Sequence, residues 1–272
     1  MSVGYLIVAH HKPGQLLRLV ETIRRSSAAP VVVHVDRRAR ALDGAVEALR
    51  RMRDVVPVSA ERVSWGHFSI VRAALAGLRV TLDRFPQVQH VKHLSGQDYP
   101  LRPLSEFESY VSGMPMRSIM QCQPLPCPGW ENEFAHVEYR YLTRSRRRSL
   151  RWPAKRRLPP GLHVHFGSAF WCIARHHAEF VLGVPRAKYR LFEGALAADE
   201  LFFQTLIMNS PFAAEVLDAT LTFGKWSDAA PSPDVLTAQD FPDLLASGCF
   251  FGRKFDDAID DTVLDRLDLA SS

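Results

Sequence analysis

The stretch VGYLIVA, residues 3–9, is an almost continuous apolar run that ends at His10. Strands of an antiparallel sheet commonly alternate apolar and polar side chains, whereas a parallel strand covered on both faces is apolar at nearly every position. Residues 3–9 therefore predict a central strand of a parallel sheet. VVVHV at residues 31–35, which ends at Asp36, predicts a second strand of the same kind.

Helix and strand signals alternate along the first half of the chain. After a helix that opens at Pro13, the pattern predicts a helix around 41–52, a strand at 55–58, a helix at about 67–84 and a strand at 88–94. Repeated βα units of this kind form a mostly parallel sheet flanked by helices, with ligands beyond the carboxyl ends of the strands. This α/β fold places a cleft beside the residues that follow those strands: Asp36, Trp65, Gly66 and the turn at 95–100.

The second half is less regular. Residues 121–166 combine Pro, Arg and aromatic residues with little periodicity, which is typical of a long functional or mobile loop. Residues 166–173 predict a strand, and helices at about 198–208 and 238–246 follow. A chain of 272 residues fits a single domain. Its predicted parts are a nucleotide-binding half at about 3–115, an acceptor and catalytic half at about 116–256, and a C-terminal helix at 257–272.

Composition excludes several classes of protein. A hydrophobic share of 47% and a charged share of 23% are ordinary for a soluble domain, so disorder is excluded as an account of the chain. We find no apolar run of about 18 residues, and the N-terminus lacks the basic region of a signal peptide. The four cysteines form no CxxC pair, which disfavours a zinc site and fits reduced thiols. We therefore expect a cytoplasmic protein.

Residues 140–157 hold nine Lys and Arg residues and no acid. One interpretation is a solvated loop. The other is a surface for an anionic partner, either a soluble polyanion or an anionic membrane at which the protein is peripherally bound on the cytoplasmic side. Nucleic acid is not expected, because only Tyr141 and Trp152 interleave with these cations as bases would require for stacking.

Three carboxylates are candidates for chemistry. Asp36 ends a buried strand, and Asp98 lies in the turn SGQDYP at 95–100, which Gly96 and Pro100 make rigid. Glu200 opens a helix, where partial burial would raise its pKa toward that of a general base. For each of them a structural role, as a cap, a turn residue or a partner of the helix dipole, is an open alternative.

Arg253 and Lys254 lie between aromatic residues in FFGRKF, a setting suited to binding a diphosphate. The alternative is two surface cations on an amphipathic strand. The chain has no Asp-x-Asp pair, with which a protein can hold a divalent cation on a diphosphate. The pairs His10-His11 and His176-His177 lack a third ligand at useful spacing, so we expect no metal site.

Taken in order, these segments resemble the core-2/I-branching β-1,6-N-acetylglucosaminyltransferases and the related peptide O-xylosyltransferases, in a bacterial-type form. The resemblance implies a GT-A-like nucleotide-sugar-binding fold, inversion at the anomeric carbon, and neither a metal nor another cofactor. The stretches that carry it are YLIVAHHKP (5–13), VHVDRR (33–38), SWGHFSIVRAAL (64–75), HLSGQDYPLRP (93–103), FGSAFWCI (166–173), ADELFFQTLIMNSPF (198–212) and FFGRKFD (250–256).

The resemblance also assigns roles to residues. It implies that Glu200 is the catalytic base and that Lys254 neutralises the departing diphosphate. It implies a donor and nucleotide site formed by His10, Asp36, Trp65, Gly66, Ser95, Asp98, Arg253 and Lys254. It implies an acceptor site formed by Gly167, Ser168, Trp171, Asp199 and Trp226.

The expected function is transfer of xylose or N-acetylglucosamine from a UDP-sugar, which is a substrate, to an acceptor hydroxyl. The acceptor is a saccharide, a lipid-linked sugar or a peptide, and the setting is the synthesis of a surface polysaccharide or another glycoconjugate. The alternative is a non-catalytic protein that binds a polyanion through residues 140–157.

Overall fold

A mostly parallel sheet of seven strands runs through the centre of the protein in the computed structural model, which describes residues 2–145, 148–227 and 232–270. The strands are β1 (Ser2–Ala9), β2 (Val31–Val35), β3 (Val55–Val58), β4 (Val88–Ser95), β5 (Asp98–Pro100), β6 (Ser118–Ile119), β7 (Gln123–Pro124), β8 (Tyr139–Ser145), β9 (Arg148–Lys155), β10 (His165–Phe166), β11 (Cys172–Ala174), β12 (Val216–Leu217), β13 (Thr222–Gly224) and β14 (Phe251–Arg253).

Helices cover both faces of this sheet. The α-helices are α1 (Pro13–Ser26), α2 (Asp43–Arg51), α3 (Ser69–Arg84), α4 (Leu104–Ser112), α5 (Ala135–Glu138), α6 (Arg175–Gly183), α7 (Phe202–Met208), α8 (Phe241–Ala246) and α9 (Thr262–Ala270). Short 3-10 turns lie at 40–42, 186–191, 198–200, 213–215 and 238–240.

The strand order in the central sheet is β12-β6-β11-β4-β1-β2-β3. Strands β3, β2, β1 and β4 are parallel, and β11 alone runs antiparallel to its neighbours β4 and β6. The predicted α/β class with a mostly parallel sheet is confirmed. Strands from both predicted halves belong to this one sheet, so the two halves do not form separate sheets.

The apolar run that opens the chain is buried on both faces, as its composition predicts. Leu6 packs with Val32 and helix α3 on one side, whereas Tyr5 and Ile7 pack with Val33 and helix α1 on the other. Each fully buried leucine or isoleucine contributes about 1.5–3 kcal/mol to folding. The register sets Ile7 opposite both Val33 and Leu94, so the ends of β1, β2 and β4 reach the same edge of the sheet.

A second sheet, of order β13-β14-β5, joins the late part of the chain to the turn after β4. Strand β14 is antiparallel to β5, and Arg253 pairs directly with Asp98. Because β5 begins three residues after β4 ends, this small sheet brings residues 251–255 to the carboxyl edge of the central sheet. The cations at 253 and 254 are thereby placed beside that edge.

Several predicted boundaries are wrong. The strand predicted at 166–173 is two short strands, β10 and β11, separated by an irregular loop at 167–171. The helix predicted at 198–208 is a 3-10 turn followed by α7, so Glu200 precedes the α-helix. The C-terminal helix begins at Thr262 rather than at 257.

The loop predicted at 121–166 contains an antiparallel hairpin of β8 and β9, in which Leu142 pairs with Leu150. An alternation of large apolar and polar side chains in YRYLTRS and RSLRWPAK was the available signal. Arg146 and Arg147, two cations of the predicted basic surface, lie outside the described residues.

Within the described ranges, no helix combines the length and apolarity needed to cross a bilayer. All four cysteines are free thiols: Cys122, Cys127, Cys172 and Cys249.

Candidate active site

The carboxyl end of β2 carries an ionised carboxylate. Asp36 is 6% exposed and accepts hydrogen bonds from the amides of Arg38 (2.8 Å) and Val63 (3.1 Å). Burial alone raises the pKa of Asp36, but the hydrogen bonds from Arg38 and Val63 outweigh it and hold the pKa below its ordinary value. The carboxylate therefore organises the loop that leads to Trp65.

The turn at Trp65-Gly66 approaches the segment that precedes Glu200. Trp65 is 38% exposed, and Gly66 has a φ of +67°, a conformation that side chains rarely adopt. A Cβ atom on Gly66 would lie 3.3 Å from a methyl of Leu196 and 3.9 Å from the amide of Ala197. An exposed indole thus stands beside the chain that carries the candidate base.

Three separated segments meet at the ends of β1 and β4. Nε2 of Gln15 donates to the main-chain carbonyls of Gly96 (3.4 Å) and Phe255 (3.0 Å). Nε2 of Gln97 donates to the same carbonyl of Phe255 (3.1 Å). His10 is exposed at the end of β1. The predicted donor residues of all three segments therefore share one edge of the sheet.

Asp98 fixes the guanidinium of Arg253. The carboxylate is fully buried and accepts from the amide of Ser95 (2.8 Å), from the hydroxyl of Ser95 (2.6 Å) and from Nε of Arg253 (3.3 Å). Its oxygens face protein donors, so Asp98 positions Arg253 and does not line the opening. This revises the predicted direct contact between Asp98 and a donor.

The ring of Phe170 packs against the guanidinium of Arg253. The guanidinium carbon of Arg253 lies 3.8 Å from the centre of the Phe170 ring. The fully buried Lys92 donates to the carbonyl of Phe170 (2.7 Å) and to the hydroxyl of Thr222 (3.1 Å). Burial lowers the pKa of Lys92 to about 8. The guanidinium of Arg253 is therefore fixed by the carboxylate of Asp98 and by the ring of Phe170, whose main chain is bound by Lys92.

The loop at 167–171 connects Arg253 to Glu200. The amide of Gly167 donates to the carbonyl of Glu200 (2.9 Å), and the buried amide of Gln204 donates to the carbonyls of Gly167 (3.2 Å) and Ser168 (2.9 Å). The amide of Ser168 donates to Oε1 of Gln121 (3.2 Å). Gly167 and Ser168, predicted on the acceptor side, thus lie directly beside the candidate base.

Glu200 and its neighbour Asp199 have raised pKa values. Burial and the charge of Asp199 raise the pKa of Glu200 to about 8, with a smaller contribution from Glu133, while Arg253 opposes the rise. Burial raises the pKa of Asp199 to about 6. A carboxylate with a pKa near neutrality can both accept and return a proton, which is what a general base requires.

The backbone before Glu200 is strained. Ala197 has a φ of +48°, and its carbonyl accepts from the amide of Glu200 (3.0 Å). The preceding segment is tied to the hairpin and its base: the amide of Tyr141 donates to Gly194 (2.9 Å) and that of Leu196 to the carbonyl of His136 (3.0 Å). Strain of this kind persists where surrounding contacts fix the chain, and it is frequent at functional sites.

A comparison with known families decides the classification. The model of the Core-2/I-Branching enzyme family matches residues 3–243. The chain belongs to the Core-2/I-branching enzyme family.

Three curated relatives are similar to this family member. They are xylosyltransferase sqv-6 of Caenorhabditis elegans (22% identical, covering 88% of this chain and 33% of the relative), xylosyltransferase 2 of Canis lupus familiaris (26%, 98% and 33%) and the β-glucuronosyltransferase GlcAT14C of Arabidopsis thaliana (26%, 74% and 54%). The chain spans about a third to a half of the length of these relatives.

One residue assigned to the acceptor side of this Core-2/I-branching protein is misplaced. Trp171 is 1% exposed and packs on Phe203 and His93, with ring centroids 4.6 and 4.8 Å apart. Its large apolar side chain belongs to the core beneath the loop, so it does not line the opening. Trp226, also predicted on the acceptor side, is 59% exposed.

The second cation of the FFGRKF segment has polar partners. Nζ of Lys254 donates to the hydroxyl of Ser232 (2.9 Å), and its carbonyl accepts from the amide of Leu236 (2.9 Å). Lys225, one residue before Trp226, forms an ion pair with Asp240 (2.7 Å). Both lysines are therefore held on the side of the site formed by β13 and β14.

Sequence reasoning missed Gln121, Phe170 and Gln204. Gln204 follows Glu200 by four residues, the spacing of one helical turn, and this was a usable signal. Phe170 stands within the quoted motif FGSAFWCI, but nothing in the sequence pairs it with Arg253. Gln121 has no local signal, because it contacts Ser168 only through the tertiary fold.

Among the residues that the structure describes, one group of three side chains has metal-ligand chemistry: His176, His177 and Glu215. It lies beside β6 and β12, toward the sheet edge opposite Asp36. Both ring nitrogens of His177 have partners, the hydroxyl of Ser118 (2.8 Å) and the carbonyl of Phe212 (3.2 Å). Glu215 is thus a third candidate ligand beside His176-His177, which the sequence analysis did not find.

Proposed function

We propose that the protein is an inverting, metal-independent glycosyltransferase of GT-A-like architecture that transfers a sugar from a UDP-sugar to an acceptor hydroxyl. The observation that carries the proposal is the arrangement around Glu200. A carboxylate of raised pKa adjoins the Gly167-Ser168 loop, and its pKa also responds to the fixed charge of Arg253. Membership in the Core-2/I-branching family supports the same reaction class.

The proposed reaction is one displacement. The carboxylate of Glu200 removes the proton of the acceptor hydroxyl as that oxygen bonds to the anomeric carbon. The bond from that carbon to the diphosphate oxygen breaks, and UDP leaves with the bonding electron pair. Because attack and departure occur on opposite faces of the sugar, the anomeric configuration inverts.

Arg253 and Lys254 supply positive charge for the leaving diphosphate in this proposal. Arg253 is preorganised by Asp98 and Phe170, so little reorganisation accompanies the development of charge. A guanidinium and an ammonium can take the role that a divalent cation has in other nucleotide-sugar enzymes. The absence of an Asp-x-Asp pair is in keeping with this mechanism.

The proposed donor sugar is xylose or N-acetylglucosamine. Two of the three relatives are named xylosyltransferases, and the plant relative is named a β-glucuronosyltransferase, so UDP-glucuronic acid belongs in the same assay. The proposed acceptor is a hydroxyl of a saccharide, a lipid-linked sugar or a peptide, within surface polysaccharide or glycoconjugate synthesis at the cytoplasmic side.

Calorimetric titration tests this function. We expect UDP and one of UDP-xylose, UDP-N-acetylglucosamine and UDP-glucuronic acid to bind equally well in EDTA and in manganese. The donor that binds most tightly identifies the sugar. Binding only in manganese would contradict the metal-free mechanism, and binding of none of these compounds would favour the non-catalytic polyanion-binding alternative.

Replacing Asp199 with asparagine is expected to shift the pH profile of kcat toward lower pH. Asp199 has the lower pKa of the pair, so it ionises first and its charge raises the pKa of Glu200 to about 8. Only ionised Glu200 acts as a base, so kcat of the unaltered enzyme rises as the pH approaches 8. In the Asp199→Asn variant kcat should rise at a lower pH. The exposed substitution Asp243→Asn on α8 is the matched control and should leave the profile unchanged. An unshifted Asp199→Asn profile would show that the two groups are not coupled.

A further inference from the structure

The hairpin of β8 and β9 presents large apolar side chains to solvent. Leu142, Leu150 and Trp152 are 53%, 67% and 54% exposed. Leu142 and Leu150 are direct cross-strand partners, and Trp152 lies two residues beyond Leu150. Leu142 and Leu150 share one face of the hairpin, and Trp152 lies next to them where the register of β9 becomes irregular, so the three form an exposed apolar patch. Exposed apolar patches of this kind mark interaction sites.

Exposed cations lie on both strands of this hairpin. The stretch 140–157 has nine Lys and Arg residues and no acid. Arg140 and Arg151 are exposed on the two strands, and the guanidinium of Arg151 lies 4.5 Å from the centre of the Tyr139 ring on the face opposite Leu150. Nζ of Lys155 forms an ion pair with Glu138 at the base of the hairpin (2.7 Å). The described hairpin is therefore amphipathic and positively charged.

We propose that this hairpin docks the protein on an anionic lipid bilayer. Leu142, Leu150 and Trp152 enter the interfacial region, and the exposed cations of the hairpin attract the anionic headgroups across a distance of about one Debye length, ~10 Å. A soluble polyanion would bind the cations but would leave the apolar patch in water. An indole beside two leucines, on a hairpin rich in arginine, matches the composition of elements that lie in a membrane interface.

The hairpin stands on the acceptor side of the candidate site. Its strand β8 begins directly after α5, and the amides of Tyr141 and Leu196 join this region to residues 191–197, just before Glu200. At the base of the hairpin, the His136 ring lies 6.0 Å from the Phe166 ring, centre to centre, and Phe166 precedes the Gly167-Ser168 loop. This location suits an acceptor carried by a lipid. The docking itself does not require sugar transfer, so it is measured without any donor.

Sedimentation with vesicles tests the proposal. We expect the full chain to bind vesicles of phosphatidylglycerol and phosphatidylethanolamine much more tightly than vesicles of phosphatidylcholine. The triple variant Leu142→Ser, Leu150→Ser, Trp152→Ser should bind the anionic vesicles with an affinity at least about tenfold lower than that of the unaltered chain. Because all three side chains are exposed, its thermal unfolding should match that of the unaltered chain. The control Leu269→Ser, which changes an 81% exposed leucine on α9, should bind normally.

A charge variant separates the two components of binding. Arg140→Gln with Arg151→Gln should weaken binding at low salt and have a smaller effect at high salt, because exposed charges are screened. Equal binding of the triple variant and the unaltered chain to vesicles would overturn the proposal. So would absent vesicle binding together with tight, salt-dependent binding to heparin, which would identify a soluble polyanion as the partner.

Discussion

Glu200→Gln is expected to lower kcat by about 10²–10⁴-fold, the usual effect of removing a general base. The substitution keeps the shape of the side chain and removes only its ability to accept the acceptor proton. The Gly167–Glu200 hydrogen bond uses the main-chain carbonyl of Glu200, so it survives in the variant. The measurement is steady-state turnover with the preferred donor, alongside calorimetric affinity for UDP.

Affinity for UDP should change little, because the proposed role of Glu200 is toward the acceptor. Glu193→Gln is the matched control: this carboxylate belongs to the same segment but lines a separate groove with Arg72 and Tyr189. Its turnover should stay near that of the unaltered enzyme. Near-normal turnover of a folded Glu200→Gln protein would mean that another group is the base.

Gly167→Ala is expected to lower the free energy of unfolding by about 3 kcal/mol, at the upper end of overpacking effects. A Cβ atom at this position would lie 1.8 Å from the carbonyl oxygen and 2.5 Å from the carbonyl carbon of Gln121. Main-chain atoms cannot rotate away as a flexible side chain can. The loop at 167–171 must shift, and the hydrogen bond to Glu200 shifts with it. We therefore expect turnover to fall together with stability, as measured by denaturant unfolding and by activity below the unfolding transition.

Gly44→Ala provides the comparison. Gly44 lies in helix α2, and a Cβ atom there meets nothing within 4 Å. Alanine in a helix is favoured over glycine by about 1 kcal/mol, so this variant should be slightly more stable. If Gly167→Ala proved as stable and active as the unaltered chain, the tight packing against Gln121 would not exist in solution.

The parallel half of the fold was predictable because its signals are local. Residues 3–9 and 31–35 are apolar on both faces, and this pattern alone identifies covered parallel strands. The carboxyl ends of such strands share an edge, which placed Asp36 and the turn at 95–100 in one region before any coordinates were known. The position of Glu200 left its role open, and the predicted role as a base came from the family resemblance of residues 198–212.

The remaining features depend on contacts between distant residues. The local sequence does not show that Trp171 points into the core. Neighbouring residues of an extended loop can point to opposite sides, so the direction depends on where the loop begins. The support of Arg253 by Phe170 joins positions more than 80 residues apart in the chain. The hairpin at 139–155 escaped prediction because each strand carries two arginines and Pro153 lies within the second.

The hydrogen bonds from Tyr141 and Leu196 join the hairpin and its base to the main-chain segment that leads to Glu200, the proposed base. Two binding events that act on a shared segment obey thermodynamic reciprocity: any factor by which one changes the affinity of the other is returned unchanged. If contact with a surface repositions residues 191–197 and thereby changes the affinity of the acceptor, then occupancy of the acceptor site must change the affinity for that surface by the same factor. One coupling constant would then describe both equilibria.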